Sequence, residues 1–502
     1  MSKPMSGLRA RTLSGLKWSG AGQFARHLLQ FAVSVFLARV LSPHEFGLMG
    51  MVLLFTGFAS LFSEMGLGMA LVQRKDLQDR HLSSIFWVNL ASGALLTLAF
   101  AAGSSLVASF YGQPALRALT AGVGLNFLLG SLVSVQRCVL VRAMDFRRLF
   151  VIETAATVCS GLAAGAAALS GLGVWSLVAQ SLTFTAVSAL LLWRFSAWRP
   201  SPRIDIGALR ELFGYSANLL GSNLLNFSNR NLDNLLIGKF LGVASLGVYT
   251  RAYELMLLPI SQVTSILTRV MFPVLSSIQH DLPQVKRLYM RATRTIALFT
   301  FPLMIGLLVT AEPFVLAVYG EKWREVVPII RILCFIGVIE SITTTTGWIY
   351  SSQGRTDIQL RWDIYCSVVI ATAFFIGLRW GIVGVAVGYV LSGYLVLYPW
   401  WRTAGGLIGL GFGEMASNLA APFACAAAMG LAVWAFGLCL PSIWPPWALL
   451  AAQVPFGALV YLGLIHFLRL APYLEVRGLA VEQLGWGSRF APADGPGKTG
   501  ML

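Results

Sequence analysis

The sequence predicts an all-α integral membrane protein of about 14 transmembrane helices, built as two parallel six-helix halves with two further helices at the C-terminal end. Three observations carry that expectation: the composition, the alternation of basic residues along the chain, and an internal repeat. Of 502 residues, 57% are hydrophobic and only 12% charged, far more apolar surface than a soluble fold of this length can bury.

The elements follow in order from the thickness of a bilayer. A hydrocarbon core of ~30 Å needs about 20 residues of helix. By that measure spans begin near residues 17, 46, 82, 115, 149, 172, 211, 244, 292, 327, 363, 381, 417 and 447. The first has the basic approach of a signal peptide in Lys3, Arg9, Arg11 and Lys17, but Arg26 and His27 interrupt its apolar run and no cleavage site follows, so it reads as a retained helix. The span near 363 is short, and the pair after Glu414 is parted only by the turn around Cys439, Pro441, Pro445 and Pro446; twelve spans plus hairpins is the competing count. Beyond about residue 470 periodicity is lost, and 471–502 reads as a disordered cytoplasmic tail. The six cysteines fall in or beside apolar segments without C-x-x-C spacing and read as packing residues.

Charge tests the topology independently. With the N-terminus in the cytoplasm, alternate loops and both tails hold 26 basic residues, among them Arg74, Lys75 and Arg80, the group Arg137, Arg142, Arg147 and Arg148, and the group Lys286, Arg287, Arg291 and Arg294. The opposite loops hold 6: Arg39, Arg117, Lys239, Lys322, Arg324 and Arg379. That bias assigns both termini to the cytoplasm. The formal net charge of +16 does not indicate nucleic acid, because the basic residues sit in short gaps and never gather on one face.

The repeat sets the architecture. Phe36 to Met49, FLARVLSPHEFGLM, recurs as LIGKFLGVASLGVY from Leu236 to Tyr249, with a basic residue, a leucine and a glycine in register at an offset of 200. Six spans, an even number, separate the copies, so the halves are parallel about an axis along the membrane normal. Residues 1–200 and 201–405 are the expected six-helix lobes, and 406–470 the extra pair.

Polar residues then mark a candidate site. Ser19, Gln23, Arg26, His27, Gln30 and Ser34 share one face of the first helix, with Arg26 about 14 Å in from Lys17. The seventh helix repeats the stripe with Asn218, Ser222, Asn226, Asn229, Arg230 and Asp233, and the eighth with Arg251, Glu254, Ser261, Gln262, Ser265, Thr268 and Arg269, where Pro259 offers a kink. The second helix carries Thr56, Ser60, Ser63 and Glu64. Ionisable groups at membrane depth face a bundle interior or water, so helices one, two, seven and eight are expected to line a cavity between the halves. The Arg230–Asp233 and Arg251–Glu254 spacings read equally as i,i+3 ion pairs. Arg26 and Arg269 have no acid at helical spacing, which favours an anionic ligand. Guanidinium groups match diphosphate oxygens, and Asn, Gln and Ser suit sugar hydroxyls. The expected substrate contacts are therefore Arg26, Arg230, Arg251, Arg269, Asn226 and Gln23. Candidate ion-coupling carboxylates are Asp233, Glu254, Glu64 and Glu340; for Glu64 and Glu340 a buried hydrogen-bonding role is the alternative, and for Asp233 and Glu254 the i,i+3 ion pair. No catalytic group, metal site or cofactor is expected.

The segments EMGLGMALVQRKD (Glu64 to Asp76), FWVN (Phe86 to Asn89), DNLLIGKFLG (Asp233 to Gly242) and LGVYTRAY (Leu246 to Tyr253), followed by Pro259, carry a resemblance. The chain resembles the polysaccharide exporter family of bacterial lipid-linked oligosaccharide flippases, in the branch of lipopolysaccharide and colanic-acid repeat-unit translocases, over roughly residues 10–400. That resemblance implies the multidrug/oligosaccharidyl-lipid/polysaccharide flippase fold, with two six-helix lobes in a V. It also implies transport of undecaprenyl-diphosphate-linked repeat units across the bacterial inner membrane for polysaccharide export, driven by an ion gradient. The partners so implied are the lipid-linked oligosaccharide, the bilayer, H+ or Na+ as coupling ion and a polysaccharide polymerase complex. Two alternatives compete: a cation-coupled multidrug exporter of the same fold, for which an acidic cavity is expected, and a membrane glycosyltransferase or polymerase, which normally needs a larger loop than any between these spans.

Overall fold

Ser42, Pro43, His44 and Glu45 start a helix for reasons local to those four residues. The Glu45 carboxylate accepts from the Ser42 backbone N–H at 2.6 Å and from its hydroxyl at 2.9 Å. Pro43, at the first helical position, has no N–H to leave unsatisfied. This helix, α2 (Pro43–Glu64), follows α1, helical over 26–40. The computed structural model describes residues 26–64, 78–202, 205, 207, 224, 227–228, 230–441, 443–470 and 473–474. Further along the chain lie α3 (Asp79–Tyr111), α4 (Ala115–Arg142), α5 (Phe146–Leu169), α6 (Trp175–Phe195) and α7, described over 230–240. They are followed by α8 (Val243–Ser277), α9 (Leu282–Val309), α10 (Ala311–Val318), α11 (Val326–Thr343), α12 (Thr346–Ser352), α13 (Thr356–Gly377), α14 (Gly381–Gly406), α15 (Phe412–Cys439) and α16 (Pro446–Phe467). Among the described residues there is no strand.

Among the described residues ten stretches are long and apolar enough to cross a bilayer, and the bent α8 adds an eleventh. One of the ten, Thr356–Gly406, contains α13 and α14 folded back on each other. A Cβ on Gly377 would lie 2.5 Å from Gly384 O, and one on Gly384 2.2 Å from Gly377 O, so the spans expected near 363 and 381 are separate passes. The first and seventh expected spans and the C-terminal tail lie partly outside the described residues, and the 65–77 segment lies wholly outside them. The kink of α8 differs from expectation. The helix runs unbroken past Pro259 and bends by 45° between Ser265 and Val270. Pro273 explains the site of the bend, because its ring and missing N–H disrupt the bond to the carbonyl four residues earlier, at 269.

Contacts gather the chain into two compact units. In the first are α1 to α7, α8 as far as Ala252, and the stretches Val318–Ile329 and Ala371–Gly388. Here α2 and α8 cross at the repeat. A Cβ on Gly47 would lie 1.8 Å from Val243 O, and one on Gly247 1.9 Å from Pro43 O, so the two backbones touch and neither position has room for a side chain. The same unit contains two matching corners. α3 ends in Phe110-Tyr111-Gly112, where Gly112 takes φ +67° and its N–H and that of Gln113 close back on Ser109 O and Ala108 O. α10 ends in Val318-Tyr319-Gly320, with Gly320 at φ +93°.

The second unit is organised on α9. Tyr289, Ile296, Trp348, Ile349, Trp401, Met415 and Met429 form its buried core. Three of its polar side chains are satisfied inside: the Tyr289 hydroxyl lies 2.8 Å from Thr345 Oγ1, Asn418 Nδ2 donates to Met290 O at 2.9 Å, and the Tyr461 hydroxyl donates to Leu298 O at 2.7 Å. The last two bonds fasten α15 and α16 to α9 where hydrocarbon supplies no other partner. Phe436 and Phe456 stack at 4.3 Å between the pair itself.

Candidate functional site

Arg26 has no acid within helical reach on α1, and its partner comes from α5. One guanidinium nitrogen, Nη1, donates to Glu153 Oε2, while Glu153 Oε1 accepts from Arg137 Nη2 at 2.6 Å. The Arg26 and Glu153 side chains are 20% and 21% exposed. Two guanidinium groups thus share one carboxylate and leave the cluster with one net positive charge. Arg26 Nε is buried and has no acceptor among the described residues. An unsatisfied charged donor of that kind is costly unless an acceptor arrives.

Eight residues further along α1, about 12 Å by helical rise, Ser34 Oγ accepts from Arg251 Nη1 at 3.0 Å. The Arg251 guanidinium carbon lies 4.0 Å above the Phe46 ring, a cation–π contact that holds its plane. Arg26 and Arg251 are thereby brought to the same helix at two levels.

The other expected residues are spread more widely. Arg230 is exposed on α7. Asp233 is 5% exposed, and its Oδ1 accepts from the Asn234 N–H at 2.8 Å. Glu254 is exposed on α8. Glu340, on α11, accepts from the Tyr389 hydroxyl of α14. The helices α8 and α2 include Arg269 and Glu64, whose side chains lie outside the description, and Gln23 and Asn226 lie outside the described residues altogether.

Sequence reasoning missed Glu153 and treated Arg137 as a loop residue. α4 is 28 residues long, about 42 Å of helix, so it outruns the bilayer core and holds Arg137 within its last turns. An acid inside the apolar span of α5 was the available signal. A second omission is a cavity of about 290 Å³ lined by Thr56, Ser60, Asn89, Asn126, Ser134 and Ser181 together with apolar side chains. Asn126 joins its walls, donating to Ser181 Oγ at 2.9 Å and accepting from Thr185 Oγ1 at 2.8 Å. Among the described residues no ionisable side chain lines it.

These helices have the architecture of a known class of membrane transporter. The structure matches the lipid II flippase MurJ in its inward closed conformation with a TM-score of 0.71 at 15% identity, covering 90% of this chain and 98% of that one. It matches an inward-facing multidrug resistance MATE family transporter of the MOP superfamily with a TM-score of 0.63 at 16% identity, covering 76% and 94%. The protein is therefore a multi-pass helical membrane protein of this transporter fold.

Sequence narrows the class. The model of the family described as polysaccharide biosynthesis protein matches residues 36–328, and the chain belongs to that family. Among its relatives are the teichuronic acid biosynthesis protein TuaB of Bacillus subtilis, 29% identical over 92% of this chain and 96% of that one. The lipopolysaccharide biosynthesis protein WzxC of Escherichia coli is 27% identical over 76% and 79%. The succinoglycan biosynthesis transport protein ExoT of Rhizobium meliloti is 26% identical over 74% and 75%.

Proposed function

We propose that this protein is a flippase that carries undecaprenyl-diphosphate-linked oligosaccharide repeat units from the cytoplasmic to the periplasmic leaflet of the bacterial inner membrane for polysaccharide export. It acts as a transporter, with no covalent chemistry of its own. Membership of a polysaccharide biosynthesis family, with a relative named as a transport protein, supports the cargo class. The observation that carries the reading is Arg26: a partly buried guanidinium, in a cluster of one net positive charge, with a buried Nε left without an acceptor. Such a group suits a diphosphate oxygen and suits a cationic drug poorly.

In this reading the head group is held by Arg26 and Arg251, with Arg230, Arg269, Asn226 and Gln23 completing the contacts, while the prenyl chain stays in the bilayer. The lobes 1–200 and 201–405 rock to expose the head group on the other side, with both termini in the cytoplasm. An ion gradient, of H+ or Na+, drives the cycle through Asp233, Glu254, Glu64 or Glu340, and a polysaccharide polymerase receives the product. The test is translocation of lipid-linked oligosaccharide in reconstituted vesicles by the Arg26→Ala and Arg269→Ala proteins. Loss of transport at normal protein levels is expected, and unchanged rates remove both residues from the substrate role.

A further inference from the structure

The repeat and the two corners meet in a way that neither indicates alone. Lys239, from the second copy of the repeat, donates through Nζ to the carbonyl of Phe110, in the corner of the first half, and its ammonium lies 4.6 Å from the centroid of the Phe110 ring. Arg39, from the first copy, donates through Nε to the carbonyl of Val318 at 2.9 Å, in the corner of the second half. Arg39 and Lys239 are equivalent positions of the repeat, and Phe110 and Val318 are equivalent positions of the two Tyr-Gly corners. Each basic residue therefore holds the other half.

The chemistry of the contact is that of a helix end. The last four carbonyls of a helix have no intrahelical donor, and the negative end of the helix dipole lies there. At the end of α3 the corner N–H groups of Gly112 and Gln113 satisfy Ser109 O and Ala108 O, and Lys239 takes the next carbonyl along. At the end of α10 Arg39 takes the final one. A cation at such a position gains from both the bond and the dipole, but both basic side chains are exposed, which weakens each contact by hydration and salt. The contact is strong enough to bias an equilibrium and weak enough to be broken in every cycle.

We infer that Arg39 and Lys239 form an exchanged latch that holds this end of the transporter closed, and that release of both contacts is a step of the transport cycle. The inference rests on the alternating-access reading above, and it assigns to these residues a conformational role with no contact to substrate. It accounts for why a basic residue recurs near the start of both repeats, on the side expected to be poor in basic residues, and for why each is followed by a helix break.

The test reads the latch without transport. Spin labels are placed at Gln113→Cys and Glu325→Cys, one beyond each corner, in protein whose exposed Cys159 and Cys439 are Ser, and the interspin distance distribution is measured. Loss of either positive charge, and of its reach to the carbonyl, in Arg39→Gln or Lys239→Gln is expected to raise the open-to-closed ratio about fivefold, and loss of both by roughly the product. The exchanged pair of conservative variants, Arg39→Lys and Lys239→Arg, keeps both donors and is expected to retain the original distribution. Should the double Gln variant fail to fold, the single variants carry the test. An unchanged distribution in the Gln variants overturns the latch. A distribution that opens while the unaltered protein moves no lipid-linked oligosaccharide in vesicles leaves the latch standing and overturns the cargo assignment instead.

Discussion

Gly47 and Gly247 are in reciprocal contact: the carbonyl pressed against each belongs to the residue four positions before the other, Val243 for Gly47 and Pro43 for Gly247. Positions 47 and 247 are also equivalent in the repeat, so an approximate two-fold axis passes between them. The helices that follow the basic residues of the latch, α2 and α8, are thus set by a crossing of bare backbone.

A side chain at that crossing is expected to force α2 and α8 apart. Gly47→Ala and Gly247→Ala should each lower stability by about 1–3 kcal/mol, the range for overpacking at a close contact. Thermal unfolding in detergent measures this, and the two values should be similar. Gly103→Ala, where a Cβ meets nothing within 4 Å, serves as the control and should leave the midpoint unchanged or raised.

Removing Glu153 is expected to do two opposite things. With the carboxylate gone, Arg26 and Arg137 lose a charge-assisted partner and stability falls by about 1–3 kcal/mol. The cluster's net charge rises from one to two, so affinity for inorganic diphosphate should increase in the Glu153→Gln protein. Calorimetric titration with diphosphate, beside a thermal melt, separates the effects; weaker binding in this variant would show that Glu153 positions the guanidinium group for the ligand more than it neutralises it.

Trp323 fastens the second corner to α1. It is fully buried, its Nε1 donates to Ala38 O at 2.7 Å, and Phe46 packs edge-on against its ring at 5.3 Å. Trp323→Phe keeps most of the ring and loses the bond, so a loss of about 1 kcal/mol is expected. Trp323→Ala also leaves a cavity and should lose about 3–5 kcal/mol. Denaturant or thermal unfolding distinguishes the two.

The same corner contains an exposed pH-sensitive pair. Arg324 donates to both Glu321 oxygens at 2.9 Å and thereby holds that carboxyl below its ordinary value of 4.5. A depressed folded-state value means the contribution is present above the unfolded value and is lost as pH falls through the folded one. Spin-label mobility at Glu325→Cys should therefore be constant from pH 8 down to about 5 and rise only in stronger acid. A transition near neutral pH would point to another group.

The membrane spans were legible in the sequence because hydropathy reports directly on the solvent a helix must face. The repeat was legible for a related reason: Arg39 and Lys239 stand out in loops where the alternation of charge leads one to expect few basic residues. What the repeat does was hidden, because Phe110 and Val318 contribute only backbone carbonyls, and a carbonyl has no sequence signature. Glu153 was missed because ion partners were sought at i,i+3 and i,i+4, whereas the partner of Arg26 lies on another helix. Pro259 and Pro273 look alike in sequence, and only the geometry of α8 shows which one bends it.

Exchange of equivalent contacts about a two-fold is how an isologous dimer is held. A half-length chain carrying one repeat and one Tyr-Gly corner has every group this end of the molecule needs, provided it meets a second copy in the same orientation. The latch thus has the contact pattern of a homodimer whose two subunits are joined in one chain. A change at Phe110 or Val318 that moves its carbonyl is therefore felt in the opposite half, at Lys239 or at Arg39.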